Sequence, residues 1–417
     1  MYPRGIAVVG LGYIGLPTAA AIATCGIRVH GVDVNVGTVQ AVNNGEVPFV
    51  EPDLGVAVSG AVSKGLLTAS TTVPEADAYL VAVPTPFLSD RTADLSYVRA
   101  AAEAIAPHLR PGAIVVLEST SPPGTTRAMS GWLAEMRPDL SFPRQGRAEA
   151  DVRVAHCPER VLPGRVMIEL VTNDRVVGGL TPECSEAAAG IYRLFCKGEI
   201  VLTDAGSAEM SKLAENAFRD VNLAFANELS SVCDRLGLDV WEIIRSANRH
   251  PRVNILQPGP GVGGHCIAVD PWFIVAAAPD EARLIRTARE VNDAKPNRVV
   301  AQVAERARRL RSPVIACLGL AFKANIDDIR ESPALEVVKG ISEALPEAKL
   351  LVVEPHLEEL PPALRGNPQI ELLEAEAAIA AADVVVMLVD HGAFRSLNRK
   401  SLEGRILFDT RGFWNQS

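Results

Sequence analysis

Aromatic side chains are scarce in this chain, 5% of 417 residues, although hydrophobic residues make up 48%. Its apolar content is therefore mostly alanine, valine and leucine, the composition of an α/β enzyme and not of a disordered or fibrous chain. A basic excess is also missing. Lys and Arg number 41 against 50 Asp and Glu, a net charge of −9, which argues against a general nucleic-acid binder. It leaves room for a small phosphate-bearing ligand, because local cations or a helix N-terminus can hold one. The seven cysteines form no C-x-x-C and no metal-ligand spacing, so no metal site is expected, and their odd number fits reduced cytoplasmic thiols. No apolar stretch approaches the roughly 18 residues of a membrane span. Met1-Tyr2-Pro3-Arg4 runs straight into a strand-like segment, so neither a leader nor membrane insertion is expected, and the expected location is cytoplasmic.

What is present alternates. Short apolar runs at Gly5–Val9, Arg28–Val32, Tyr79–Val83, Ala113–Leu117, Val152–His156 and Arg175–Val177 read as strands, with helical patterns between them. Strand alternating with helix predicts a parallel doubly wound sheet. From about Ala205 to Leu236 one long helix is expected, starting after Thr203-Asp204 and stopping at Gly237, a cap and a terminal glycine. Further helix follows at Trp241–Ala247 and from Glu281 to Leu310, and a second strand–helix run begins at Pro313. The expected architecture is α/β: two Rossmann-like doubly wound domains, residues 1–203 and 312–417, joined by a helical central domain, residues 204–311.

Gly10-Leu11-Gly12-Tyr13-Ile14-Gly15 follows the first strand and opens a helix, with Asp33 about twenty positions on, the context a dinucleotide fingerprint requires. The glycines permit a tight turn and close pyrophosphate approach, and the helix N-terminus supplies N–H donors. Asp33 would bond the adenosine ribose. No arginine follows it directly, which favours NAD over NADP.

Cys266 lies in Gly259-Pro260-Gly261-Val262-Gly263-Gly264-His265-Cys266, with Asp270 four residues on. A thiol in a loop of glycines, where the backbone is not being packed, can reach a bound substrate. The other cysteines, 25, 157, 184, 196, 233 and 317, read as small buried apolar residues. Asp270 could orient water, hold a lysine or cap the segment from Pro271. Lys212, Asn216 and Arg219 share one helical face and could stabilise an oxyanion or bind phosphate, although the spacing alone favours a solvated polar face. Glu215, Asp220 and Glu228 read as that solvated face. Glu159, in Pro158-Glu159-Arg160 after a strand, could be a general base, with a loop ion pair as the competing account. His250, before the thiol loop, reads as a substrate contact or a structural bond.

Together with Glu118-Ser119-Thr120-Ser121-Pro122, Cys157-Pro158-Glu159-Arg160, Phe322-Lys323 and Arg330-Glu331-Ser332-Pro333, these stretches resemble the UDP-glucose/GDP-mannose dehydrogenase family over essentially the whole chain. Cys157–Gly164, Asn248–Cys266 and Leu284–Asp293 are most similar to the members that oxidise C6 of UDP-N-acetyl-D-mannosamine. Val262 and His265 depart from the G-F-G-G-S-C stretch of UDP-glucose enzymes. The resemblance implies a four-electron oxidation with NAD as acceptor and a UDP-N-acetylhexosamine as substrate. Cys266 would be the nucleophile, with a lowered pKa attributed to Lys212, and Lys212 and Asn216 would be the oxyanion donors. Glu159 and Asp270 would assist water, and Thr120 would sit beside the nicotinamide. It also implies that Tyr13, Ile14, Asp33, Thr85, Thr120 and Arg330 contact NAD. Arg160, Val161, Arg219, His250, Arg252, Gly263, Phe322, Lys323 and Arg411 would line the sugar-nucleotide site. A homodimer through the central helices is implied, in which a partner can supply Arg252. The same residues could serve UDP-N-acetylglucosamine or UDP-glucose. A two-electron dehydrogenase of the 6-phosphogluconate type shares the layout but needs no thiol.

Overall fold

The computed structural model describes residues 5–143, 150–162, 164–264 and 266–414; Pro163 and His265, which belong to the motifs above, lie outside them. The chain divides into two compact units, Met1–Glu215 and Asn216–Ser417.

The first unit is built on an eight-stranded sheet of order β3-β2-β1-β4-β5-β6-β7-β8. Its strands are β1 (Gly5–Val9), β2 (Arg28–Val32), β3 (Leu67–Ser70), β4 (Ala78–Val81), β5 (Ile114–Leu117), β6 (Arg153–His156), β7 (Arg175–Gly179) and β8 (Ile200–Asp204). Helices α1 (Gly15–Thr24), α2 (Val36–Asn43), α3 (Leu54–Ser63), α4 (Ser96–Ile105), α5 (Thr125–Met136), α6 (Val166–Thr172) and α7 (Pro182–Tyr192) join them. Alternation along β1 feeds two cores. Ile6 and Val8 pack with Leu16 and Ile22 of α1, while Ala7 and Val9 pack with Val98, Ile105 and Met129. A strand buried on both faces needs this unbroken apolar run.

One expectation is corrected here. The sheet is not parallel throughout: β7 runs antiparallel to β6, with Ala155 opposite Gly179 and His156 opposite Gly178, and β8 is parallel to β7. Strands β3 and β8 escaped the sequence reading because both are edge strands. In β8 no residue is buried, so the apolar signal is weak.

Helix α8 (Ala205–Leu236) runs from one unit into the next. The Asp204 carboxylate accepts the Ser207 N–H at 3.0 Å, and Gly237 adopts φ 68°, the start and stop that the sequence signalled. Helices α9 (Val240–Ala247), α10 (Asp270–Ala277) and α11 (Arg283–Ala307) follow, with no strand between residues 205 and 313 among the described residues. Asp220 is not on a solvated face. It is fully buried and paired with the equally buried Arg289 at 2.6 Å, with Asn292 donating at 2.8 Å. Glu228 is exposed, as expected. The Leu284–Asp293 stretch thus carries a buried polar lock between α8 and α11.

The second sheet has the order β11-β10-β9-β12-β13 and is all parallel. It comprises β9 (Val314–Leu318), β10 (Lys349–Val353), β11 (Ile370–Leu372), β12 (Val384–Met387) and β13 (Ile406–Asp409), with α12 (Pro333–Ala344) and α13 (Ala375–Ala381). Both Rossmann-like sheets and the helical centre agree with the expected fold class. No described helix is long and apolar enough to cross a membrane.

Candidate functional site

Strand order reverses between β1 and β4, and ligands of such sheets bind at the strand C-termini beside that point. Gly10 there has φ 95°. A Cβ on Gly15 would collide with the Gly10 carbonyl, whereas one on Gly12 would meet no described atom within 4 Å. The first and third glycines are needed for packing, and the second leaves its backbone open. Ile14, the N-cap of α1, makes no side-chain cap bond; Leu16 N–H donates to the Gly12 carbonyl at 3.2 Å and Pro17 has no N–H, which leaves the Gly15 N–H at the helix start toward an anion. The Asp33 carboxylate accepts Leu11 N–H at 2.8 Å and Asn35 N–H at 2.8 Å, which braces the turn and holds the acid at the end of β2. The Tyr13 ring stacks on Phe49 at 4.3 Å. An open glycine, a helix N-terminus and a terminal acid fit the pyrophosphate and ribose of a dinucleotide.

Thr85, after β4, donates to the Thr120 carbonyl at 2.5 Å, so the structure brings these two together. Next along the same edge, Glu159 is buried and does form an ion pair, with Arg175 at 3.1 Å, and its other oxygen accepts Arg160 N–H at 2.7 Å. Arg160 pairs with Glu215 at 2.6 Å, which gives the partly exposed Glu215 a partner; Val161 beside it is half-buried. Beneath lies Glu118, whose Oε1 accepts the Tyr192 hydroxyl at 2.7 Å. Burial pushes Glu118 up to about 7, and the charge of Glu159 adds to the effect. Arg175 and Tyr192 were not singled out from sequence, and Glu118 stood in a motif without a role of its own. The signal was a charge at each end of otherwise apolar strands, Glu118 after Ile114–Leu117 and Arg175 before Val176-Val177.

In the second unit Cys266 is exposed, and its carbonyl accepts Val269 N–H at 3.1 Å and Asp270 N–H at 2.8 Å. This turn starts α10. Asp270 is buried but does not cap the helix, whose N-cap is Val269 with no side-chain bond; its carboxylate accepts Asn216 Nδ2 at 2.5 Å. Cys266, Asp270 and Asn216 are thereby linked. Lys212 stands one helical turn before Asn216 on α8, half-buried, and Arg219 is exposed.

The glycine loop is packed, contrary to the sequence reading. A Cβ on Gly263 would strike the Glu331 carbonyl and the Pro333 ring, and one on Gly264 (φ 84°) would press on the Phe322 ring. The loop is glycine-rich because the Phe322 and Pro333 motifs approach its backbone. Gly259 similarly faces Arg411 Nη1, and Arg411 is held by Asp390 at 2.9 Å. Gly263, Phe322 and Arg411 are thus gathered along one loop. Lys323 is exposed, and Arg330 folds onto Asp328 at 2.6 Å. His250 and Arg252 lie in an exposed turn after α9, where His250 Nδ1 accepts Arg252 N–H at 3.3 Å. Among the remaining cysteines, 157, 184, 233 and 317 are buried as expected, but Cys196 is half-buried and Cys25 is exposed at the end of α1. Burial pushes the Cys157 thiol up to about 12, which makes it inert.

Residues 4–196, 206–294 and 316–416 match, in turn, the NAD binding, central and UDP binding domains of the UDP-glucose/GDP-mannose dehydrogenase family. The chain is 62% identical over 413 residues to an NDP-N-acetyl-D-galactosaminuronic acid dehydrogenase of Ralstonia nicotianae, covering 99% of this chain and 96% of the relative. It is 58% identical over 417 residues to a UDP-N-acetyl-D-mannosamine dehydrogenase of Salmonella typhi, covering 98% and 99%. The solved UDP-D-ManNAc dehydrogenase of Pyrococcus horikoshii superposes with a TM-score of 0.86 at 36% identity, covering 98% of this chain and 96% of that one.

Proposed function

Because the chain belongs to the UDP-glucose/GDP-mannose dehydrogenase family and is therefore an NAD-dependent UDP-sugar dehydrogenase, we propose that it oxidises C6 of UDP-N-acetyl-D-mannosamine to the uronate. When bound, NAD supplies the hydride acceptor, two equivalents for the four electrons. Cys266 is the nucleophile in this reading. Its thiolate adds to the C6 aldehyde, keeps it from leaving as a thiohemiacetal, and carries it at the next oxidation level as a thioester.

The observation that carries the reading is the link from Cys266 through Asp270 to Asn216. It ties the backbone that carries an exposed thiol to an amide on a helix, and Lys212 stands one turn before that amide. Donors fixed before charge develops stabilise an oxyanion better than donors on a mobile loop. Lys212 and Asn216 are assigned to the alkoxide and thiohemiacetal oxygens, and Lys212 to lowering the pKa of Cys266. Glu159 takes the proton of the hydrolytic water, Asp270 orients Asn216, and Thr120 orders a water near the nicotinamide. Tyr13, Ile14, Asp33, Thr85 and Arg330 are assigned to NAD. Arg160, Val161, Arg219, His250, Arg252, Gly263, Phe322, Lys323 and Arg411 are assigned to the sugar nucleotide. We assign residues 1–203 to NAD, 204–311 to a helical centre and 312–417 to the UDP-sugar.

In this reading the protein works in the cytoplasm as a homodimer. Phe218, Phe225 and Val232, exposed at seven-residue spacing on α8, support a helix-to-helix contact between copies.

A second reading keeps the chemistry and changes the sugar to N-acetylgalactosamine, inverted at both C2 and C4, favoured by the name of the Ralstonia relative. The test supplies limiting UDP-N-acetylmannosamine, UDP-N-acetylgalactosamine, UDP-N-acetylglucosamine or UDP-glucose with excess NAD and counts NADH. About two NADH from the mannosamine sugar, falling to none or one with Cys266→Ser, is expected. One NADH with free aldehyde from wild type would overturn the thiol mechanism, and turnover of another sugar alone would overturn the substrate.

A further inference from the structure

In a parallel sheet the first residue of a strand lies at the edge away from the ligand. Because β7 runs against β6, its first residue, Arg175, comes to the C-terminal edge of β6 instead. The pairs Ala155–Gly179 and His156–Gly178, carried on past the end of β6, set Arg175 opposite Glu159. The two side chains meet there at 3.1 Å, 4% and 7% exposed.

Arg175 is held on several sides. Its guanidinium lies 4.9 Å from the Tyr192 ring and 5.2 Å from the Phe195 ring. Nη2 also donates to the Leu170 carbonyl at 3.4 Å, and Nη1 to Cys157 Sγ at 3.9 Å. Tyr192 in turn donates its hydroxyl to Glu118. A buried ion pair is a weak source of stability, since apolar residues of the same size often serve as well. Its place beside the proposed base calls for a functional reason.

We propose that Arg175 is the positioning residue for Glu159, fixing the carboxylate at the ligand edge so that it can receive the proton of the water that attacks the Cys266 thioester. This rests on the reading of Glu159 as the base. The water oxygen bonds to the thioester carbon, the carbon–sulfur bond breaks and Cys266 leaves as a thiolate. One water proton passes to Glu159, and the other leaves the new carboxylic acid for solvent; nothing is oxidised or reduced. Around the guanidinium the titratable groups are Glu159, Cys157, Tyr192 and Glu118. Burial raises Cys157 and Tyr192 and keeps both neutral. Glu118, held near 7, is the group that competes with Glu159 for Arg175 once it ionises.

The experiment uses the full-length enzyme with NAD and whichever UDP-sugar the wild type turns over. NADH release is followed by rapid mixing, and quenched samples are weighed intact for an acyl adduct on Cys266. For Arg175→Lys, which keeps the charge but loses the planar fork, the adduct should accumulate and uronate release slow by about 10-fold or more, with the first NADH phase changed less than about 3-fold. Glu159→Gln should accumulate the same adduct. If Glu159→Gln accumulates it and Arg175→Lys does not, the positioning role is overturned and the base survives. If neither does, the base reading falls and takes the proposal with it. Tyr192→Phe keeps the ring but releases Glu118, and serves if Arg175→Lys does not fold. Its uronate release should slow by about 3-fold once Glu118 ionises, which without the Tyr192 hydrogen bond needs a higher pH than in the wild type, and an unchanged rate at every pH would also overturn the proposal.

Discussion

At the ends of β1 and β9 the chain makes the same turn. Gly10 and Gly319 both adopt φ 95°, and each donates its N–H at 2.8 Å to the last carbonyl of the neighbouring strand, Val32 or Val353. The residue after that strand is an acid in both cases, and it accepts the N–H after the glycine: Leu11 to Asp33 at 2.8 Å, Leu320 to Glu354 at 2.7 Å. Two residues beyond the glycine they part. Gly12 is exposed and open, whereas Ala321 is buried and its N–H is already taken by Glu354 at 3.0 Å. Asp33 is half-buried, but Glu354 is buried against His391 at 3.1 Å. One loop leaves its second glycine open and its acid partly accessible to a ligand; the other closes both internally. A nucleotide fold can thus lose a dinucleotide site while its strand-end hydrogen bonds persist.

Glu354, His356 and His391 have ligand atoms within 4.8 Å of one another, the spacing of a metal site. The His391 lone pair is spent, however, and one Glu354 oxygen already accepts from His391, Leu320 and Ala321. His391 Nδ1 accepts Asn325 N–H at 3.0 Å, which leaves Nε2 as the donor to Glu354. Burial opposes the Glu354 charge, but the His391 hydrogen bond and the Leu320 and Ala321 amides outweigh it and hold this acid below the ordinary range.

The sharpest break of the comparison is to remove each acid. Glu354→Ala leaves His391 and two buried amides without partners and should cost about 3 kcal/mol or more in denaturant unfolding, with NAD affinity unchanged. Equal stability would mean that the second acid is as dispensable to the fold as the first.

Glu118 offers a third, deeply buried acid. Its native pKa of about 7 lies above that of an unfolded glutamate. The native state therefore retains a proton that the unfolded chain has released, and stability falls as pH rises from roughly 4.5 to 7. Glu118→Gln should remove this loss, giving on the order of 1–3 kcal/mol at pH 8 and nothing below about pH 4.5. Melting curves at the two pH values check it.

Gly12→Val should weaken NAD binding by about 30-fold, because a branched side chain fills the open approach to the pyrophosphate, with little change in melting temperature. The smallest effect is expected from Asp33→Asn, a loss of about 10-fold in NAD affinity and under about 1 kcal/mol in stability. Titration calorimetry measures both, and a stability loss like that of Glu354→Ala would erase the contrast.

Much of this was legible in the sequence for physical reasons. Periodicity and caps marked α8 from Ala205 to Leu236, and the glycine turn with its distant acid marked the dinucleotide end. The roles assigned to packing were not legible. Gly263 and Gly264 read as slack until Phe322, Glu331 and Pro333 were seen against them. Asp220 read as a surface charge because its partner Arg289 lies 69 residues away. The reversal of β7 left no trace, since a two-sided strand reads the same whichever way it runs.

That reversal also fixes what the segment between residues 160 and 174 is free to become. Arg175 faces Glu159 by strand register, and β7 is held in register through five pairs with β8 but only two with β6. A slip of one residue would turn every side chain of β7 to the opposite face and set Val176 where Arg175 stands. Past the Cys157–Gly164 stretch, a transplanted version of this return can therefore be longer or shorter, provided the frame of the strand is kept. An alignment gap that falls inside β7 would be an error of a different kind from one a few residues earlier.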